Sequence, residues 1–163
     1  MYQLLILLGL FIIKDLNAQD VKEYKFNWYP KIQVNDGVIN LPDSSKFEIY
    51  NTSGVWEDSL GNYGIMKCLV SQFINDNKEV SLNAFCEARD SENEKFWMSL
   101  KRHSFNKAGI GKSNYLFAQS RFSILEGKEC PYAAQLLEGG GVFKMMCKLS
   151  KDEYKALEKM IIE

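Results

Sequence analysis

The chain has 163 residues, 46% hydrophobic, 13% aromatic and 25% charged, with four cysteines, one histidine and a formal net charge of −1. This composition excludes low-complexity disorder and collagen-like architecture and fits one ordinary domain. It offers no cationic surplus for a phosphate backbone, so nucleic acid is not an expected partner, and composition alone assigns no activity.

Leu4 to Ile13 reads LLILLGLFII and is followed by Lys14-Asp15-Leu16-Asn17-Ala18-Gln19, an apolar run and a polar exit that predict a signal peptide cleaved after Ala18. The run is shorter than the about 20 apolar residues a helix needs to cross a bilayer, so no membrane span is expected once the leader is gone. The expected organisation is therefore residues 1–18 as signal peptide and 19–163 as a single domain, exported to a periplasm or the extracellular medium. Oligomeric state is not readable from the sequence.

In the mature chain, turn residues recur at short intervals without a repeat or linker. Aromatic and β-branched residues concentrate near 22–29, 46–51, 63–74, 79–89, 95–103, 114–125, 129–137 and 142–149. About eight strands predict an all-β fold, an antiparallel closed β-barrel that leaves no exposed edge.

The stretch from Gly54 to Gly64 holds three glycines, Trp56, Tyr63 and several turn-forming polar residues. It reads as a barrel-closing loop whose aromatics either plug one end or touch a ligand. The candidate ligand-binding residues are Trp56, Asp58, Asn62 and Tyr63, joined by Arg102 and His103 if that strand end opens the same way.

Two hairpins are legible in register. Around Asn75-Asp76-Asn77-Lys78, residues whose numbers sum to 154 pair, setting Cys68 against Cys86, Val70 against Ala84 and Ile74 against Val80. Around Gly139-Gly140-Gly141 the sum is 277, which sets Cys130 against Cys147, Tyr132 against Met145 and Ala134 against Phe143. The predicted disulfides are Cys68–Cys86 and Cys130–Cys147, as an exported chain with an even cysteine count allows. The triple glycine is a turn and not a phosphate cradle, because no Lys-Ser/Thr follows it.

Cysteines committed to pairs supply no thiolate nucleophile, and without a C-x-x-C a lone histidine cannot complete a zinc set, so no metal and no cofactor is implied. Asp90, Glu92 and Glu94 alternate as though around calcium but lack the glycine and terminal glutamate of an EF-hand, and they read as a solvated strand connection. His103 lies in Lys101-Arg102-His103-Ser104 without a nucleophile elbow and reads as a surface residue. Ser150-Lys151-Asp152-Glu153 is a capping box, and Tyr154, Leu157 and Ile161 follow at helical spacing, so a C-terminal helix is expected to close one barrel end.

The stretch from Tyr115 to Tyr132, YLFAQSRFSILEGKECPY, resembles a strand pair of allene-oxide-cyclase-like barrels and of small secreted bacterial relatives of unknown function. Phe122, Leu125 and Gly127 match, and Asp58 to Gly64 is similar to the glycine-rich turn before a strand in those relatives. Ala118 and Ser120 depart from the glycines expected there. Gly54-Val55-Trp56 is similar to the Gly-x-Trp of lipocalins, though it stands later than a lipocalin's opening strand. The resemblance implies a barrel and carries over no catalytic residue.

The expected function is a non-catalytic exported binding protein for a small apolar molecule. The alternatives are an isomerase or cyclase of the allene-oxide-cyclase kind and a loop-mediated interaction or inhibitor module. A buried polar group at the base of a cavity would point to the second class.

Overall fold

The computed structural model describes residues 21–105, 108–137 and 139–159, so the predicted leader and Ile161 lie outside the described residues. Eight antiparallel strands close into a barrel in chain order. They are β1 (Val21–Asn40), β2 (Lys46–Asp58), β3 (Tyr63–Ile74), β4 (Val80–Asp90), β5 (Lys95–Ser104), β6 (Ala108–Ala118), β7 (Glu129–Leu137) and β8 (Gly140–Ser150). A 3-10 turn over Ser120–Leu125 links β6 to β7, and the helix α1 spans Lys151–Lys159.

Period-2 alternation decides which side chains enter the barrel. β3 sends Met66, Cys68 and Val70 inward, and β5 sends Phe96, Met98 and Leu100. The outer positions between them carry charges such as Lys67, Glu87, Lys101, Lys112 and Lys144. The wall also carries exposed apolar side chains, Leu69, Phe85 and Phe117 among them. No described helix is long and apolar enough to cross a membrane.

Both predicted registers hold residue for residue, with Val70 opposite Ala84 and Tyr132 opposite Met145. The disulfides Cys68–Cys86 and Cys130–Cys147 each tie neighbouring strands inside the barrel, with Cα separations of 4.0 and 4.8 Å. A cross-strand pair that faces the interior brings two Cβ atoms into bonding range only where the register is right, so pattern and chemistry specify each other.

The β1–β2, β2–β3, β3–β4 and β4–β5 turns share one design. The residue before the second strand's first bonded position takes a left-handed conformation: Ser44 (φ 69°), Gly61 (φ 88°), Lys78 (φ 67°) and Asn93 (φ 69°). Asp58 and Asp90 reinforce their turns in the same way, each accepting two backbone N–H groups on Oδ1, from Leu60 and Asn62 and from Glu92 and Glu94.

Because the chain runs up and down, successive connections alternate between the two ends. One end takes the β2–β3, β4–β5 and β6–β7 connections together with α1, and it is closed. There Phe26, Trp56, Phe96 and Phe122 pack with ring centroids 5.2 Å (Phe26 to Trp56) and 4.9 Å (Phe96 to Phe122) apart. Leu157 of α1 is fully buried. The capping box is made as expected, the Ser150 backbone N–H donating to Glu153 and the Glu153 N–H to Ser150 Oγ.

Three sequence expectations are corrected. The strand expected over 114–125 begins at Ala108 and stops at Ala118, because Ser120 takes φ 45° and Arg121, Phe122 and Leu125 turn inward to seal the closed end. The closing loop expected over 54–64 shrinks, since β2 continues to Asp58 and β3 starts at Tyr63. The acidic connection at 90–94 is not simply solvated: Asp90 and Arg121 form an ion pair with side chains 0% and 4% exposed, and Glu94 lies 3.4 Å from the same guanidinium.

Candidate functional site

The fold divides the six candidate residues between the two barrel ends, so the condition for Arg102 and His103 to join the other four is not met. Trp56, Asp58 and Asn62 are brought together in the closed end, all buried. Asp58 accepts from the Tyr24 hydroxyl at 2.9 Å and from Asn62 Nδ2 at 2.8 Å. Burial, then the neighbouring Tyr115 and Asp58, pushes the Tyr24 phenol pKa well above its ordinary value. Tyr63, next to inward Asn62, must point the other way and is 63% exposed.

Arg102 stands at the opposite end. Asp58 ends β2 and Arg102 nears the end of β5, and strands of opposite direction finish at opposite rims. Arg102 points inward and is 6% exposed. Its neighbour His103 faces the outer wall, with Nδ1 3.0 Å from Ser81 Oγ and Nε2 3.0 Å from Glu79 Oε1, joining β4 to β5 near the β3–β4 turn.

The Arg102 end opens into a cavity of about 330 Å³. Ile32, Val38, Ile74 and Leu137 form apolar walls, and Lys46, Glu48, Tyr50, Gln72 and Arg102 supply the polar lining. These polar groups are ordered by register. Glu48, Gln72, Leu82, Arg102, Gly111 and Tyr132 are successive cross-strand partners on one row from β2 to β7.

On the β2–β3 side of this row, the Tyr50 hydroxyl donates to Gln72 Oε1 at 3.2 Å. Gln72 Nε2 and Lys46 Nζ both donate to the Glu48 carboxylate. Burial raises the Glu48 pKa, but these two hydrogen bonds and the Lys46 charge outweigh it and hold the carboxyl below its usual range. On the far side, Tyr132 stacks on Phe143 with centroids 4.5 Å apart, and Phe143 meets Trp28 edge-on at 5.9 Å. Burial pushes the Tyr50 and Tyr132 phenols up to about 12, opposed by the nearby Arg102 charge.

The space beside Arg102 and Tyr132 depends on β6. A Cβ on Gly109 would lie 3.1 Å from Arg102 Cδ, and one on Gly111 would lie 2.4 Å from Tyr132 Cζ. Below the rim, Thr52 Oγ1 and Trp28 Nε1 are buried without a hydrogen-bond partner, although buried polar groups normally have one. The lining residues that the sequence reading did not place here are Glu48, Tyr50 and Gln72, while Gly111 and Tyr132 follow Arg102 on the same row outside the lining. One signal was available: the register of the two disulfide hairpins already sets Gln72 opposite Leu82 and fixes Tyr132 as inward.

No family model, curated protein or solved structure matches the chain.

Proposed function

We propose that the protein is an exported, non-catalytic binding barrel that holds one small, largely apolar molecule at the Arg102 end. The observation that carries this reading is the open 330 Å³ mouth, where apolar walls surround a few convergent polar groups, the usual make-up of a small-molecule site. Aromatic rings fill the barrel below it, so the mouth and not a deep lumen is the place for a ligand. The two disulfides fit an oxidising compartment. Export by a leader cleaved after Ala18 accords with them, and N-terminal sequencing of secreted material beginning at Gln19 would support it.

The isomerase reading asks for a buried polar group at a cavity base, and Arg102 is one. A guanidinium is a poor proton-exchange group, however, and burial pushes the two phenols up to about 12, so neither group type suits acid–base catalysis near neutrality. Binding is the better account.

A different observation favours the interaction-module reading. On the outer wall Leu69 faces Phe85 across β3 and β4, Trp97 faces Phe117 across β5 and β6, and Leu69, Phe85 and Phe117 are 64–66% exposed. Contiguous exposed apolar side chains mark contact surfaces.

Native mass spectrometry of gently purified protein, followed by titration with an apolar fluorescent dye, tests the binding reading. A bound small molecule, and dye binding lost on Val38→Glu or Ile74→Glu with an unchanged melting temperature, would support it. Dye binding lost on Phe85→Lys instead would move the site to the outer wall.

A further inference from the structure

The mouth carries more than apolar area, and its charges specify what kind of molecule fits. Glu48 is held on its own side of the cavity by Lys46 and Gln72. Arg102, on the other side, presents a nearly buried guanidinium to a space rimmed by Val38, Ile49 and Leu137, which are 47%, 48% and 54% exposed. Arg102 already has an interaction within the chain, and its guanidinium carries five N–H donors in all. On β6 the glycines at 109 and 111 make room for the side chains of Arg102 and Tyr132 themselves, a Cβ at those positions falling 3.1 Å from Arg102 Cδ and 2.4 Å from Tyr132 Cζ.

We propose that the mouth takes a single-chain amphiphile by its carboxylate, which pairs with Arg102 while the apolar chain lies against Ile32, Val38, Ile74 and Leu137. The inference rests on the mouth being a ligand site. A carboxylate matches the planar fork of a guanidinium and forms charge-assisted bonds that an alcohol of the same length cannot. The phenols of Tyr50 and Tyr132 remain neutral beside it, so they add no repulsion. The chain in turn covers exposed apolar rim that water otherwise penalises.

Isothermal titration of the intact protein with decanoate, decanol and decylamine separates the possibilities. The expected order is decanoate tighter than decanol by about tenfold or more, with decylamine weakest. Arg102→Gln should bring decanoate down to the decanol value and leave decanol unchanged, and Arg102→Lys should restore only part of the difference. Decanoate and decanol binding equally to the wild type would overturn this proposal while leaving the mouth a ligand site. Binding of none of the three would overturn both readings. The wild-type comparison decides the matter even if the Arg102 variants fail to fold.

Discussion

The ring of Tyr132 occupies the space that a side chain at position 111 would fill, an ideal Cβ on Gly111 standing 2.4 Å from Tyr132 Cζ and 2.5 Å from its hydroxyl oxygen. Gly111 also has the Lys101 carbonyl oxygen 2.4 Å from that point, so neither the ring nor the neighbouring strand can simply step aside. Gly111→Ala is therefore expected to lower stability by about 1–3 kcal/mol, the usual cost of overpacking, and to weaken ligand binding at the mouth. Thermal melting and amphiphile titration check it. Gly109→Ala should be milder, because the atoms it meets belong to the side chains of Ser104 and Arg102.

Asp90 and Arg121 form the buried ion pair under the closed end. Asp90→Asn keeps the acceptor for the Glu92 and Glu94 N–H groups but removes the charge that balances Arg121. The expected loss is about 1–3 kcal/mol, below the cost of a wholly uncompensated buried charge, because Glu94 at 3.4 Å and Glu92 at 3.7 Å still face the guanidinium. Arg121→Met should cost a similar amount, and the double variant should cost less than the two together. Denaturant unfolding of all four proteins measures the coupling, and additive losses would show that the two side chains act independently.

Two buried tyrosines near Arg102 make stability depend on alkaline pH. Burial lifts the Tyr50 and Tyr132 pKa values to about 12, above the unfolded value of about 10. The folded chain thus keeps protons that the unfolded chain releases. Their contribution is fully present below pH of about 10 and is lost as pH rises to about 12. Tyrosinate absorbance should show these residues titrating with or after the loss of structure, and Tyr50→Phe should flatten the alkaline side of the stability profile.

Each disulfide closes a short loop, with sequence separations of 18 and 17. Replacing either pair by serines is expected to cost about 3 kcal/mol, since the unfolded chain regains the closure entropy of that loop. Peptide mapping without reductant should recover only the 68–86 and 130–147 linkages. The thiol left by a single Cys→Ser substitution would lie inside the barrel, so that folded variant should react slowly with alkylating reagents.

Much of the barrel is legible in the local pattern. Alternation of apolar and polar residues from Cys68 to Cys86 and from Cys130 to Cys147 fixes faces, turn positions mark the fold-back, and the two criteria meet at the cysteines. The capping box at Ser150 is equally local, because its partners are three residues apart. The seal over Ser120–Leu125 is not local. Phe122 and Leu125 look like strand residues until the closed end offers them a core to enter, and tertiary burial then overrides β-propensity.

The candidate site divides along the same line. From the sequence come the strand count, the inward faces, the disulfides and the aromatic weight of the Gly54 to Gly64 segment. Which rim each residue reaches depends on strand direction summed around the closed barrel, and only the tertiary structure decides it. That sum carries Arg102 away from Asp58 and delivers it to Tyr50, Gln72 and Tyr132, residues 52, 30 and 30 positions distant in the chain. Loop-closure entropy hides such partners from any local window, while hydrogen bonding between β1 and β8, the first and last strands, makes their meeting unavoidable.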